Sequence, residues 1–290
     1  MNLSNKKVQD TFFGPPNAKQ KSEGGLRTPG YFKQSLPGKP LITVVTVVFN
    51  GEKHLEETIL SVLKQTYDNV EYIIIDGGST DGTVEIIRKY ERLIDYWVSE
   101  PDNGIYDAMN KAATLATGDW LYVLGSDDRL YPNSLDQIAF CLRDNSVVYY
   151  GNVTMLSDGR AYDGYFNSYK LMYYNICHQS IFYPRSVFDY YKYETKYKTH
   201  ADFVLVQKCH GDNRFRFEYV PIDVAYYNDI IGVSSKQEDQ QYLADKKEII
   251  RSNFSTFCYA LFLLRYYMVK CLAIVCLKDL VKSFLQKCRS

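Results

Sequence analysis

A chain of 290 residues has room for one sizeable α/β domain with appendages, and two large domains are not expected. Lysine plus arginine and aspartate plus glutamate number 34 each, so the net charge is zero and no basic face for long nucleic acid is announced. The seven cysteines make no C-x-x-C pair, and Cys177-His178 and Cys209-His210 lack finger-like spacing, which points to a reduced, intracellular chain without a structural zinc site.

Residues 1–39 are rich in Gly, Pro, Lys and Ser and read as a mobile or loosely docked arm. They contain no apolar run that would serve as a signal peptide, so the domain that follows is expected to stay in the cytoplasm. "LITVVTVVF" reads as a first strand, and Asn50-Gly51 turns it into a helix carried by Leu55, Ile59, Val62 and Leu63. "VEYIIID" is a second strand, apolar enough to be buried on both faces. The turn "GGSTDG" follows, with glycines that allow positive φ and with Thr80 or Asp81 available to cap a helix from about Thr83, faced by Val84, Ile87 and Tyr90.

"DYWVS" is a short third strand, Ile105, Ala108, Met109, Ala112 and Leu115 mark a third helix, and "DWLYVLGSDD" is a fourth strand that ends in two carboxylates. Nearly all-apolar strands alternating with helices imply an α/β fold, mainly a parallel sheet with helices on both faces. After "SVVYYGNV" the regularity weakens until about Ser235. Many of the 27 tyrosines fall there, which suits either stacking on flat or sugar-like ligands or ordinary half-buried packing.

From Phe254 to Leu277 the chain is apolar again over about the length of a bilayer-spanning helix. Arg265 and Lys270 would each cost about 2.5–3.5 kcal/mol near mid-membrane, so spanning is disfavoured. A helical segment over 236–290 lying in the interface fits better, with Lys278, Lys282, Lys287 and Arg289 adding attraction to anionic lipid.

Ligands of open α/β sheets bind outside the carboxyl ends of the strands. Asp76 ends the second strand, and Asp127 and Asp128 end the fourth, so parallel topology puts all three on one edge. Adjacent carboxylates repel, and a divalent cation relieves the repulsion. Mg²⁺ and Mn²⁺ take oxygen ligands and are commonly shared with substrate phosphates, so the set points to a nucleotide diphosphate held through metal. The competing structural account is a solvated turn, with Asp76 merely ending its strand.

"TVVTVVFNGEKHLEETILSVLKQTYDNVEYIIIDGGSTDGT" and "SEPDNGIYDAMNKAATLATGDWLYVLGSDDRLYPNSL" closely resemble the family 2 glycosyltransferases of polysaccharide biosynthesis, which have a GT-A fold. The likeness is strong from about Pro40 to Leu135 and extends to about Gly232, giving a domain of 40–235. It implies an inverting enzyme that moves a hexosyl or N-acetylhexosaminyl group from a UDP- or GDP-sugar to a glycan or polyprenyl-linked acceptor. The tail and the lack of a signal-like run lead us to expect a cytoplasmic position, peripheral on the inner face of the cell membrane, and the balanced charge leads us to expect no nucleic-acid partner.

Carried over by motif, the resemblance assigns the base and ribose to Thr46, Phe49, Asn50, Glu52 and Asp76. Ribose and metal, as Mg²⁺ or Mn²⁺, fall on Asp127 and Asp128. Asp107, Asn110 and Lys111 in "GIYDAMNKA" match a further family motif, with Lys111 or Arg129 as candidate diphosphate contacts. The general base, which in the family stands at a helix start, falls on Asp202 in "THADFVL". Asp223 is the alternative, in a segment that reads as a strand. His178 in "CHQSIF" resembles a substrate-wall position, or else is a hydrogen-bonded core histidine.

Two departures stand out. Many relatives carry a second carboxylate where this chain has Gly77, and the usual D-x-D is Gly125-Ser126-Asp127 followed by Asp128, so metal binding is expected either to rest mainly on Asp128 or to be weaker than usual. A sugar nucleotidyltransferase would carry a glycine-rich loop after the first strand, whereas "GGLRT" precedes it. A non-catalytic nucleotide-sugar-binding scaffold is the other alternative.

Overall fold

The computed structural model describes residues 21–162, 164–230 and 238–287, with side chains as far as Leu272. Its centre is four parallel strands, β2 (Ile42–Val48), β3 (Val70–Asp76), β4 (Tyr96–Ser99) and β5 (Trp120–Gly125), set in the order β4-β3-β2-β5. Both faces of these strands are covered, which is why their sequences are continuously apolar. Val45, Val47, Ile73 and Ile75 pack on one side with α3 (Ile105–Leu115). Ile42, Val44, Tyr72 and Ile74 pack on the other with α1 (Leu55–Leu63) and α2 (Thr83–Tyr90). The chain works outward through β3 and β4 and then returns to β5 on the far side of β2. The sequence order therefore reverses between β2 and β5, where a ligand crevice is expected.

Beyond β5 the sheet becomes mixed. β9 (Ile181–Pro184) is inserted antiparallel between β5 and β7 (Val147–Met155), and β10 (Arg216–Tyr227) runs parallel to β7. Two reversals bring β7 and β10 back to the direction of β5. The carboxyl ends of β7 and β10 and the entry to β9 thus lie on the same edge as Asp76 and Asp127. β6 (Arg129–Leu130) pairs with β10, and β8 (Ala161–Tyr162) with β7.

The described part of the N-terminal arm is docked, not loose. β1 (Ser22–Gly24) adds antiparallel to β4, and the Arg27 guanidinium pairs with the buried carboxylate of Glu71 while donating to the Leu115 carbonyl at 2.8 Å. Lys33 Nζ reaches Asp95 Oδ2 at 2.9 Å. The composition of this stretch hid these long-range partners.

At the other end, α8 (Gln240–Asn253) packs on α7 (Ala201–Gly211), and α9 (Thr256–Lys287) seats Phe262 against Met172 and Ile250. Among the described residues no helix is long and apolar enough to cross a membrane. Residues 231–237, which hold the expected end of the domain, Arg289, and the side chains of Lys278, Lys282 and Lys287 lie outside the described set.

Candidate active site

Asn50 leaves β2 in the left-handed region at φ 52°, a conformation asparagine tolerates, and this aims its side chain at the turn after β3. Its amide N–H donates to Ser79 Oγ at 2.7 Å, and its Oδ1 accepts from the Thr80 N–H at 2.8 Å. Glu52 accepts from the Gly82 N–H at 2.9 Å. Asn50 and Glu52 thus lash the two loops together, and Phe49 stands beside them at 61 % exposure.

Two members of the expected donor set change role. Thr46 is wholly buried, with Oγ1 3.1 Å from the Tyr72 hydroxyl, and no ligand at the edge reaches it. Asp76 is also buried and accepts from the Gly78 and Ser79 N–H groups, from Ser99 Oγ at 2.6 Å and from Ser79 Oγ. Its carboxylate builds the turn and is not open to a base or ribose. Asp81, accepting from the Thr83 N–H at 3.1 Å, secures the start of α2.

The paired carboxylates divide in the reverse of the expected sense. Asp128 is 1 % exposed, with Oδ1 accepting from the Asn228 N–H at 2.8 Å and Oδ2 from Gln179 Nε2 at 2.6 Å. Burial, with the neighbouring Asp127 charge second, pushes its carboxyl up to about 7. It ties the loop after β5 to the end of β10 and the entry to β9, and is poorly placed as a metal ligand.

Asp127 is half-buried, no side-chain hydrogen bond to it appears among the described residues, and burial raises its carboxyl above the usual range. Gly125 follows from the same packing, because a Cβ there would run into Asp128 Oδ2. Among the described residues no group of three or more His, Cys, Asp or Glu side chains could hold a metal by itself. One open carboxylate suits a cation shared with diphosphate oxygens better than an all-protein cage.

The "GIYDAMNKA" residues work as braces. Lys111 Nζ pairs with Glu100 at 2.6 Å, Asp107 accepts from the Asn103 N–H at 3.0 Å, and Asn110 exchanges hydrogen bonds with the Tyr193 backbone. Arg129 pairs with Glu57 at 2.9 Å. Neither cation is free for a diphosphate in this arrangement, and Asp107 supports a loop instead of facing the donor.

One residue of that segment, Tyr106, gave no sign of its role in the sequence. Tyr106 of α3 donates through its hydroxyl to Asp202 Oδ1 at 2.7 Å, across 96 positions of sequence. Asp202 stands in the first turn of α7, and its Oδ2 accepts from Asn175 Nδ2 at 2.7 Å with His178 Nδ1 3.7 Å away. Burial holds the Tyr106 hydroxyl well above its ordinary range, so it remains a donor, and burial lowers His178, which favours the neutral imidazole. Asp202, Asn175 and His178 line a cavity of about 290 Å³ together with Tyr162, Tyr174, Phe203 and Tyr227, and Tyr106 supports Asp202 from behind it. Asp223 is exposed on β10, where the register with β7 shifts.

Comparison with known proteins agrees with this architecture. Residues 43–220 match the family model "Glycosyl transferase family 2". The chain is 34% identical over 214 residues to a "PGL/p-HBAD biosynthesis glycosyltransferase" of Mycobacterium bovis, covering 70% of this chain and 83% of that one. It is similar in structure to S. aureus TarS 1–349 in complex with UDP-GlcNAc, with TM-score 0.62 and 19% identity over 79% of this chain and 73% of the other, and it covers 43% of a longer TarS chain. A mannosyltransferase from Pyrobaculum calidifontis in complex with GDP-Man and Mn²⁺ aligns with TM-score 0.54 and 16% identity, over 82% of this chain and 83% of that one. With the reversed strand order, the carboxylate-tipped edge and these likenesses together, the chain belongs to glycosyltransferase family 2 and is a glycosyltransferase with a GT-A fold.

Proposed function

We propose that the protein transfers a hexosyl or N-acetylhexosaminyl group from a UDP- or GDP-sugar to a hydroxyl of a glycan or lipid-linked acceptor, with inversion, in surface polysaccharide biosynthesis. The observation that carries this is the pairing, on one sheet edge, of an open carboxylate at Asp127 with an aromatic-walled cavity that contains Asp202. The bound UDP-GlcNAc and GDP-Man of the structural neighbours support the donor class.

In this reading Asp127 would hold Mg²⁺ or Mn²⁺, which would supply positive charge for the departing diphosphate. Asp202 takes the proton of the acceptor hydroxyl as that oxygen bonds to the anomeric carbon, and the nucleoside diphosphate departs with the electron pair of the broken bond. Tyr106 and Asn175 hold the carboxylate in place, one on each oxygen, leaving lone pairs for the incoming hydroxyl. The test is release of nucleoside diphosphate from a panel of donors with glycan and polyprenyl-phosphate-linked acceptors. Release that depends on both acceptor and divalent cation is expected, and binding without turnover on every pair would favour the scaffold instead.

The position of the acceptor is tied to α9. Tyr173 lines the cavity and also packs on Phe262 of α9 at 6.0 Å between ring centroids, beneath Arg265. On the side of α9 turned away from the protein, Phe257, Leu264, Met268 and Leu272 form an exposed apolar stripe at helical spacing, with Arg265 at its edge. Such a helix suits the headgroup boundary of an anionic membrane, so we place the enzyme peripherally on the cytoplasmic leaflet. Full-length protein is expected to float with anionic liposomes, and a form ending at Ser252 to lose most of that binding. Equal flotation of the two, or none by either, would return α9 to a packing or oligomerisation role.

A further inference from the structure

The carboxylates on the donor edge are mostly committed. Asp76 is saturated by the turn, Asp81 by Thr83, Asp107 by Asn103, and Glu52 by Gly82. Asp102 is different. It lies in the loop between β4 and α3, half-buried, and only Oδ1 has a partner, the Gly104 N–H at 2.8 Å. Oδ2 accepts no hydrogen bond among the described residues. It points into the notch above Gly77, where a Cβ would lie 2.6 Å from Asp102 Oδ2, with the next two nearest atoms, at 3.1 and 3.2 Å, also in the Asp102 carboxyl group.

The loop is fixed in that position from both ends. The Glu100 N–H donates to the Asp76 carbonyl at 3.1 Å, and Gly78, at φ +82°, lies close beneath Pro101. Gly77 is therefore the residue that lets a carboxylate arrive from the neighbouring loop into space its own side chain would fill.

We infer that Asp102 reads the donor's nucleobase, accepting a ring imide N–H through Oδ2, and so selects uracil or guanine over bases that present a lone pair at that ring position. The assignment rests on the glycosyltransferase reading above. Uracil N3–H and guanine N1–H each lie beside a carbonyl and are donors, whereas the corresponding ring nitrogens of cytosine and adenine are acceptors and would face the carboxylate lone pair to lone pair. A site built to accept from an N–H rejects the analogue that lacks it, because its own polar group is left unpaired. Phe49, exposed across the same edge, offers an apolar surface for the base.

The experiment measures binding of UDP, GDP, CDP and ADP to the full chain by calorimetry. Wild type is expected to bind UDP or GDP at least about tenfold tighter than CDP and ADP. Asp102→Ala is expected to lower that affinity roughly 10- to 100-fold, the range of a hydrogen bond to a charged group, and to erase the preference, with an unchanged melting temperature. Gly77 is not at positive φ, so the exchange Gly77→Asp with Asp102→Gly places a carboxylate in the same notch from the other strand and is expected to restore the preference. If UDP or GDP binds and Asp102→Ala keeps both affinity and preference, the base-reading role is wrong while the glycosyltransferase reading stands. If wild type binds none of the four, both fall.

Discussion

Asp202→Asn lowers transfer by roughly 10²- to 10⁴-fold while donor nucleotide binds as before, because that range is what a positioned general base contributes. The substitution is nearly isosteric, and the surroundings can take it. Tyr106 still donates to the retained carbonyl oxygen, and Asn175, whose Oδ1 is buried without a hydrogen-bond partner, can turn its amide to accept from the new N–H. The loss is therefore expected in kcat, with the melting temperature and nucleotide affinity unchanged. Turnover at the wild-type rate would remove Asp202 from the chemistry and leave it as a brace for α3 and α7.

The second large effect separates the adjacent carboxylates. Asp127→Ala is expected to cut transfer roughly 10²- to 10³-fold, the scale seen when one contact that stabilises developing charge is removed, and to leave stability intact because the side chain is half-exposed and takes no hydrogen bond from another side chain among the described residues. Asp128→Ala should do the opposite first. It strands the Asn228 N–H and Gln179 Nε2 in a buried place, at about 1–3 kcal/mol each, so unfolding shifts to lower temperature. Activity assays with added Mg²⁺ or Mn²⁺ and with chelator, run beside thermal melts of both variants, decide the matter. An inactive but fully stable Asp128→Ala beside an active Asp127→Ala would restore Asp128 as the ligand.

Much of the fold could be read in the sequence because its strands are buried on both faces and its helices carry regular stripes, as at Leu55, Ile59 and Val62. The strand ends likewise put Asp127 on the edge, while Asp202 and His178 were reached only through the family resemblance. What the sequence concealed is which way each polar side chain turns. Asp127 and Asp128 are equivalent by type, and only the approach of Gln179 and Asn228 from distant elements makes one of them interior. Thr46 and Asp76 look like edge residues until the depth of their strands is known. Lys111 looks free until Glu100 folds back on it. The arm was misjudged for the same reason, since composition does not reveal a partner 44 positions away.

That arm bears on what counts as a minimal piece of this protein. The matched family region begins at residue 43, yet the guanidinium that neutralises Glu71 belongs to Arg27, and the edge of β4 is closed by residues 22–24. Glu71 is a charge sealed in the floor of the sheet, also accepting from Thr43 Oγ1 and the Thr117 N–H. Cutting the gene at the recognisable boundary would leave that charge without its counter-ion, a loss on the order of 3–5 kcal/mol for a buried pair, and would bare a strand to edge-to-edge association. The inheritable catalytic module and the autonomous folding unit are thus different lengths of the same polypeptide.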